Sequence, residues 1–248
     1  MKITTDGLVI REQSLKEQDK VLTVLTSANG IIRAFIHGAK SIKSPKSTAS
    51  GLLTYSDFEI YKSRDNYIID DARAKEVFMP VRRDIEKLAL GQYFCEMLAV
   101  LAPEESQADD FLRLALNALY FLSKGDRPVS VIKSAFELKL MTMAGFMPDL
   151  TCCCECGCYE HENMIFIPES GKLLCGDCSG ISKKKHIQTG ISITHAMRHC
   201  VYSEMKKLFA FTLPDDALSV LEYASENYIA AQVPKNFKTL DFYKTLRI

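Results

Sequence analysis

Two cysteine pairs, Cys153-x-x-Cys156 and Cys175-x-x-Cys178, stand 18 residues apart, and this spacing constrains the chain more than any other feature. Two CxxC knuckles at such a distance form the pattern of a four-thiolate zinc site. Zinc takes four tetrahedral ligands, and a full set of thiolates leaves no position open for water or substrate, so the expected metal is structural. Cys152, Cys154 and Cys158 crowd the first knuckle, but only Cys153 and Cys156 have two residues between them. Gly157 and Ser179 follow the knuckles, where a small residue eases a tight turn. Met164–Ile167, a Pro168–Gly171 turn and Lys172–Leu174 read as a hairpin, which together with the knuckles makes a zinc ribbon. His161 is an alternative ligand with a poorer spacing. A disulfide framework is the other alternative, and no feature of the sequence points to secretion.

At 248 residues the chain can hold one large domain or two to three small ones. Its 47% hydrophobic content suffices for packed cores, and no apolar run approaches the length of a membrane span. The first residues lack the apolar stretch of a signal peptide. Nine cysteines, an odd number with metal-like clustering, suit a reducing cytoplasm. Net charge is zero, so any polyanion footprint must lie in the distribution of charge. From Val21 to Ser56 there is no acidic residue, while Arg33, His37, Lys40, Lys43 and Lys46 are present. A second acid-free stretch, Ser179 to Tyr202, carries Lys183, Lys184, Lys185 and Arg198.

Residues 1–80 read as β structure. Gly7–Arg11, Val21–Leu25, Ile31–Ile36, Phe58–Tyr61 and Tyr67–Ile69 are strand-like, and Asn29-Gly30 is a hairpin signal. Five short strands in this length fit a small barrel of the OB type, with an SH3-like barrel as the alternative. Gly38–Ser47 reads as a basic loop. After Pro80 the apolar period becomes helical: Leu90 to Leu101, Leu112 to Leu122, Ile132 to Met143, Ile193 to Leu208 and Ala217 to Ala231. Ser192 or Thr194 is the expected N-cap of the fourth helix. The expected fold is therefore α+β and multidomain: an OB-fold barrel over 1–80, a helical domain over 81–149 and 181–248, and a zinc ribbon over 150–180 inserted in the helical domain.

Several separated motifs carry a family resemblance. Asp19–Thr26 followed by Gly30, and Gly38-Ala39-Lys40 followed by Lys43, Pro45 and Lys46, look like a strand-and-turn and a basic loop of the bacterial RecO family. Pro148-Asp149-Leu150 leading into Cys153-x-x-Cys156-Gly157 resembles that family's approach to its zinc module. Phe237–Phe242 resembles its C-terminal signature. The resemblance spans essentially the whole chain. One departure is Gly51-Leu52-Leu53, where the family usually has a Gly-Arg-Leu-like element.

The resemblance implies a non-enzymatic recombination mediator of the RecF repair pathway, in the cytoplasm at the nucleoid. It implies binding to single-stranded and double-stranded DNA and annealing of complementary strands. It further implies that, with RecR, the protein helps to load RecA onto strands coated by single-strand-binding protein, whose acidic C-terminal tail docks on the helical domain. Helices carrying Lys133, Lys139, Arg198, Lys206 and Lys207 offer the candidate tail surfaces. No membrane partner is expected. The residues supply a physical route, because an OB barrel combines a cationic groove with stacking surfaces. Arg33, Lys40, Lys43 and Lys46 are the expected phosphate contacts, and Arg82 and Arg83 extend the track. Phe35 and Tyr55 are stacking candidates whose alternative is the core. Against an enzyme stand the lack of a glycine-rich phosphate loop, an HExxH or a nucleophile elbow. The pair Asp70-Asp71 reads as a strand-end turn. The rival readings are a zinc-ribbon transcriptional regulator using Lys183–Lys185, and a protein-interaction scaffold.

Overall fold

The computed structural model of the chain describes residues 2–15, 18–40, 44–63, 66–181 and 186–247. These residues form two units: Met1–Lys124 with Phe237–Ile248, and Gly125–Asn236.

In the first unit, alternating apolar residues build β1 (Lys2–Ser14), β2 (Lys20–Thr26), β3 (Gly30–Ile36), β4 (Tyr55–Lys62) and β5 (Tyr67–Glu76). They close into a barrel in the order β1-β2-β3-β5-β4, with β3 and β5 parallel and the other pairs antiparallel. This is the OB arrangement. Val9, Leu22, Val24, Ile32, Ala34, Phe58 and Ile60 fill its interior. The β2–β3 turn requires glycine. Gly30 has φ +61°, and a Cβ there would lie 2.1 Å from the carbonyl oxygen of Pro103.

The segment expected as a basic loop contains a short helix, α1 (Pro45–Ala49). Ser44 caps it through Lys46 N–H, Pro45 supplies the pre-set φ of the first turn, and Ala49 joins the barrel core. Asp70 and Asp71 lie inside β5 and both are exposed, so they are outward positions of a strand and not a strand-end turn.

After the barrel come α2 (Met79–Arg83), α3 (Ile85–Leu101) and α4 (Asp109–Lys124). Asp84 starts α3 by accepting from the N–H groups of Glu86 and Lys87 at 3.0 and 3.1 Å. α3 is apolar around most of its circumference because β1, α2, α4 and the C-terminal α8 (Lys238–Thr245) all pack on it. Thr239 donates to Glu96 through both backbone and hydroxyl, and Phe237 meets Tyr93 edge-on.

The second unit contains α5 (Val129–Met143), a four-stranded sheet, α6 (Gly190–Tyr202) and α7 (Asp215–Gln232). The sheet has the order β6-β8-β7-β9, from Asp149–Cys153, Lys172–Leu174, Ile165–Ile167 and Ile187–Gln188. The expected hairpin is the antiparallel pair β7–β8, with Phe166 opposite Leu173. α6 is shorter than the apolar period indicates. Ser203 turns to extended backbone (φ −71°, ψ 154°), leaving Met205 and Leu208 beyond the helix. Its N-cap position is Thr189, upstream of the expected Ser192 or Thr194. Within this unit Lys133 is fully buried, 2.8 Å from Glu137 and 2.9 Å from Glu226. Ser225 donates to Glu137 at 2.6 Å. Burial alone would lower the Lys133 pKa, but the two carboxylates more than offset it and raise it. No helix among the described residues is long and apolar enough to cross a membrane.

Candidate metal centre and nucleic-acid interface

β6 ends at Cys153, which leads into the first knuckle, and β8 delivers Cys175 to the second. Turns then bring the remaining pair back: Gly157 N–H donates to Cys153 O at 2.9 Å, and Cys178 N–H to Cys175 O at 3.1 Å. Gly157 takes φ +74°, a left-handed conformation that favours glycine. The Sγ atoms of Cys153, Cys156, Cys175 and Cys178 all lie within 4.8 Å of one another, and Cys156 and Cys175 approach to 3.6 Å. Tetrahedral zinc–thiolate bonds place sulfurs about 3.8 Å apart, so this donor set fits zinc with little adjustment.

The electrostatics agree with a cation site. Burial would raise the Cys153 thiol, but N–H groups from Cys156, Glu155 and Cys175 outweigh it and bring the group down to about 6. Cys178 is pushed well up by hydrogen bonding with Cys175 and Cys156. Thiols gathered this closely suit a divalent ion, which binds their deprotonated form and displaces the protons.

The spare residues stand aside. Cys158 Sγ donates to Glu160 O at 3.1 Å, and Cys154 is exposed beside Glu155. His161 is not part of the four-sulfur group. Its Nδ1 accepts from Asn163 N–H at 3.0 Å and Gly176 N–H at 3.4 Å, and its Nε2 faces Asp177 at 3.6 Å. It braces the second knuckle from outside.

The barrel carries the second candidate site. On its outer face Leu8, Leu25 and Ile31 form a buried cross-strand row; α3 packs against β1, and α4 against β1 and β2. One step further along the strands lies the row Arg11–Thr23–Arg33, with both arginines exposed. Sequence reading singles out Arg33 and misses Arg11. Simple alternation from Val9 puts Arg11 on the core side, but the register shift between Val9 and Arg11 turns it outward.

Lys2, Lys20, Lys62 and Lys75 on the same barrel are each paired with an acid, namely Glu59, Glu12, Glu105 and Asp57. Arg11, Arg33, Lys40, Lys46 and Arg83 form no ion pair among the described residues.

The loop after β3 is held from below. Asp19 accepts from Gly38 N–H at 3.1 Å and meets His37 Nδ1 at 2.9 Å, and Lys40 donates to Leu15 O at 2.6 Å. His37 first and Gly38 N–H second hold the Asp19 carboxyl below its ordinary value. The Asp19 and Gly38-Ala39-Lys40 motifs are thus one physical unit. Lys46 is half-buried on α1, and Lys43 lies outside the described residues, as do Lys183–Lys185.

Arg83 is exposed, whereas Arg82 turns inward and donates to Leu52 O and, at 2.6 Å, to Thr54 Oγ1. Its guanidinium therefore sits against the Gly51–Thr54 turn. Tyr55 has its hydroxyl on Asp6 at 2.5 Å and the Lys75 ammonium 4.8 Å over its ring, and Phe35 is half-buried. Of the lysines named for a tail surface, Lys133 is interior. Arg198 is almost fully buried and bound to backbone carbonyls. Lys139 Nζ donates to the carbonyls of Val201 and Ser203, while Lys206 and Lys207 are exposed.

Residues 1–78 match the family model described as Recombination protein O N terminal, and residues 82–241 match Recombination protein O C terminal. The chain belongs to the RecO family. Among curated relatives, the DNA repair protein RecO of Acetivibrio thermocellus is 31% identical over 244 residues, covering 98% of this chain and 97% of the relative. Those of Caldicellulosiruptor saccharolyticus and Alkaliphilus metalliredigens are each 27% identical, with coverage of 99% of this chain and 99% and 100% of the relatives. The RecO family places the chain among DNA repair and recombination mediators.

Proposed function

We propose that this RecO-family protein binds single-stranded and double-stranded DNA without reading sequence. In this reading the phosphates follow the outer barrel from Arg11 and Arg33 to Lys40, Lys43 and Lys46, with Arg83 extending the track. Arg82 acts from inside by fixing the Gly51–Thr54 turn. The observation that carries the reading is the sorting of charge on the barrel: one set of cations is neutralised by acids, whereas Arg11, Arg33 and Lys40 form no ion pair among the described residues. A cationic track that touches backbone and no base edges gives sequence-tolerant affinity. Neutralising two strands at once lets complementary strands meet and anneal.

The mediator role follows. With RecR, the protein opens strands coated by single-strand-binding protein to RecA, and the C-terminal tail of single-strand-binding protein docks on the second unit. It does so as a binding protein and not as an enzyme, in the cytoplasm at the nucleoid. The functional division is a DNA-binding barrel over 1–80, a helical domain over 81–149 and 181–248, and a ribbon over 150–180. Cys153, Cys156, Cys175 and Cys178 hold a structural zinc ion that supplies no chemistry beyond fixing the knuckles.

Strand annealing tests this. Arg11→Glu with Arg33→Glu should slow annealing of both bare and coated complementary strands by at least tenfold. Unchanged annealing by a folded double variant would contradict the barrel as the DNA surface.

A further inference from the structure

The second unit contains a cavity of about 780 Å³ that the metal site and the barrel track do not use. Its lining includes Met147, Tyr159, His195, Arg198, Tyr202 and Ser203. Arg198 is only 8% exposed. Its guanidinium donates to Leu150 O at 2.7 Å, Thr151 O at 3.1 Å and Tyr159 O at 2.7 Å, and the Tyr159 ring lies 4.0 Å over it. Yet Arg198 Nη1 is buried without a hydrogen-bond partner, and so is Ser203 Oγ in the same lining. Two unsatisfied polar atoms are costly, and both are covered by neighbouring side chains, so an occupant of the cavity satisfies them only by displacing that cover. Around them Tyr159, Tyr202 and Met147 are 56, 51 and 56% exposed, so the mouth is aromatic and apolar.

We infer that this cavity receives a single unstacked nucleobase of a bound single strand. The inference rests on the DNA-binding reading above. A base offers a flat face for the tyrosine rings and an edge with carbonyl acceptors and N–H donors. Once a base shifts the covering side chains, Arg198 Nη1 donates to a base carbonyl, and the Ser203 hydroxyl gives or accepts as the edge requires.

The charge balance favours a base over an acidic peptide. Arg198 already shares its charge among three carbonyls. Glu160 contributes a carboxylate to the same lining, 2.9 Å from His195 Nε2. A cluster of carboxylates would meet that negative charge, whereas a neutral base does not.

Photo-cross-linking of the full-length protein to a single strand carrying 5-iododeoxyuridine tests the inference. Cross-links should map to Tyr159 or Tyr202. Tyr202→Ala should lower their yield about tenfold, the scale of losing one stacked base, and Tyr202→Phe should restore it, with barrel cross-links unchanged in both. Tyr202 is the variant of choice because it is exposed, whereas Arg198 also holds three backbone segments. Cross-links confined to the barrel would overturn this inference and leave the DNA reading intact. Loss of all cross-links and all strand binding would instead overturn the DNA reading. If an acidic peptide with a free C-terminal carboxylate bound in a Tyr202-dependent way and the strand did not cross-link there, the cavity would be a peptide site and the inference wrong.

Discussion

The barrel and the cysteine-bearing sheet solve the same problem, holding short strands together, by different means. The barrel closes on itself, so every strand has two neighbours, and its interior is a continuous set of apolar side chains. The β6–β9 sheet has strands of two to five residues and open edges, too little to persist alone. Its four cysteine sulfurs converge just beyond the ends of β6 and β8, and a metal held by them would supply the cross-link the short strands lack. The difference teaches where each region is vulnerable: one to the loss of core volume, the other to the loss of a single ligand.

The sharpest way to break this comparison is to remove a sulfur. Cys153→Ser should release about one equivalent of zinc and abolish amide-exchange protection across 150–180, while barrel amides stay protected. Metal binding in small thiolate modules carries about 10–16 kcal/mol of apparent folding free energy, which is why the effect should be the largest. Retained metal and retained protection would refute the ligand assignment.

The reciprocal variant is Phe58→Ala. Phe58 is fully buried in the barrel core, and its truncation should cost about 3–5 kcal/mol in chemical denaturation, with zinc content unchanged. A comparable loss of about 3–5 kcal/mol is expected for Lys133→Ala in the second unit, because it strands the Glu137 carboxylate in the interior. Lys133→Ala with unaltered stability would mean that the buried ion cluster is not held as described.

The smallest effect concerns the loop after β3. The Asp19 carboxyl is held below its ordinary value of 3.8. Its grip on Gly38 and His37 is therefore complete above that value and is lost as pH falls through the lower folded one. Amide exchange at Gly38, corrected for its intrinsic pH dependence, should accelerate only in that acid range, and Asp19→Ala should show the faster exchange at every pH.

Much of this was legible in the sequence because it is written locally. Alternation reveals the five strands, CxxC spacing reveals the four sulfurs, and Asn29-Gly30 reveals a turn. What was not legible depends on the partner element. The bulge after Val9 reverses the side on which Arg11 emerges, and nothing in Val9-Ile10-Arg11 announces it. Ser44-Pro45 is a helix start that a count of lysines overlooks. Lys133 reads as a surface cation until α7 brings Glu226 against it, and Arg82 reads as a phosphate contact until the Leu52 carbonyl claims it. Met205 and Leu208 keep the period of α6 although the helix has already ended, because the loop after it is buried at Leu208 and Phe209.

The central claim is that the unpaired outer cations of the barrel hold the DNA backbone. The most direct measurement is the salt dependence of single-strand binding for the wild type and for Arg11→Gln with Arg33→Gln. Each phosphate contact contributes about 0.7 to the slope of log affinity against log salt for single strands. The wild type should lose affinity steeply with salt, and the double variant should bind more weakly with a slope shallower by about 1.4. Equal slopes for the two proteins would contradict the account and place the DNA elsewhere.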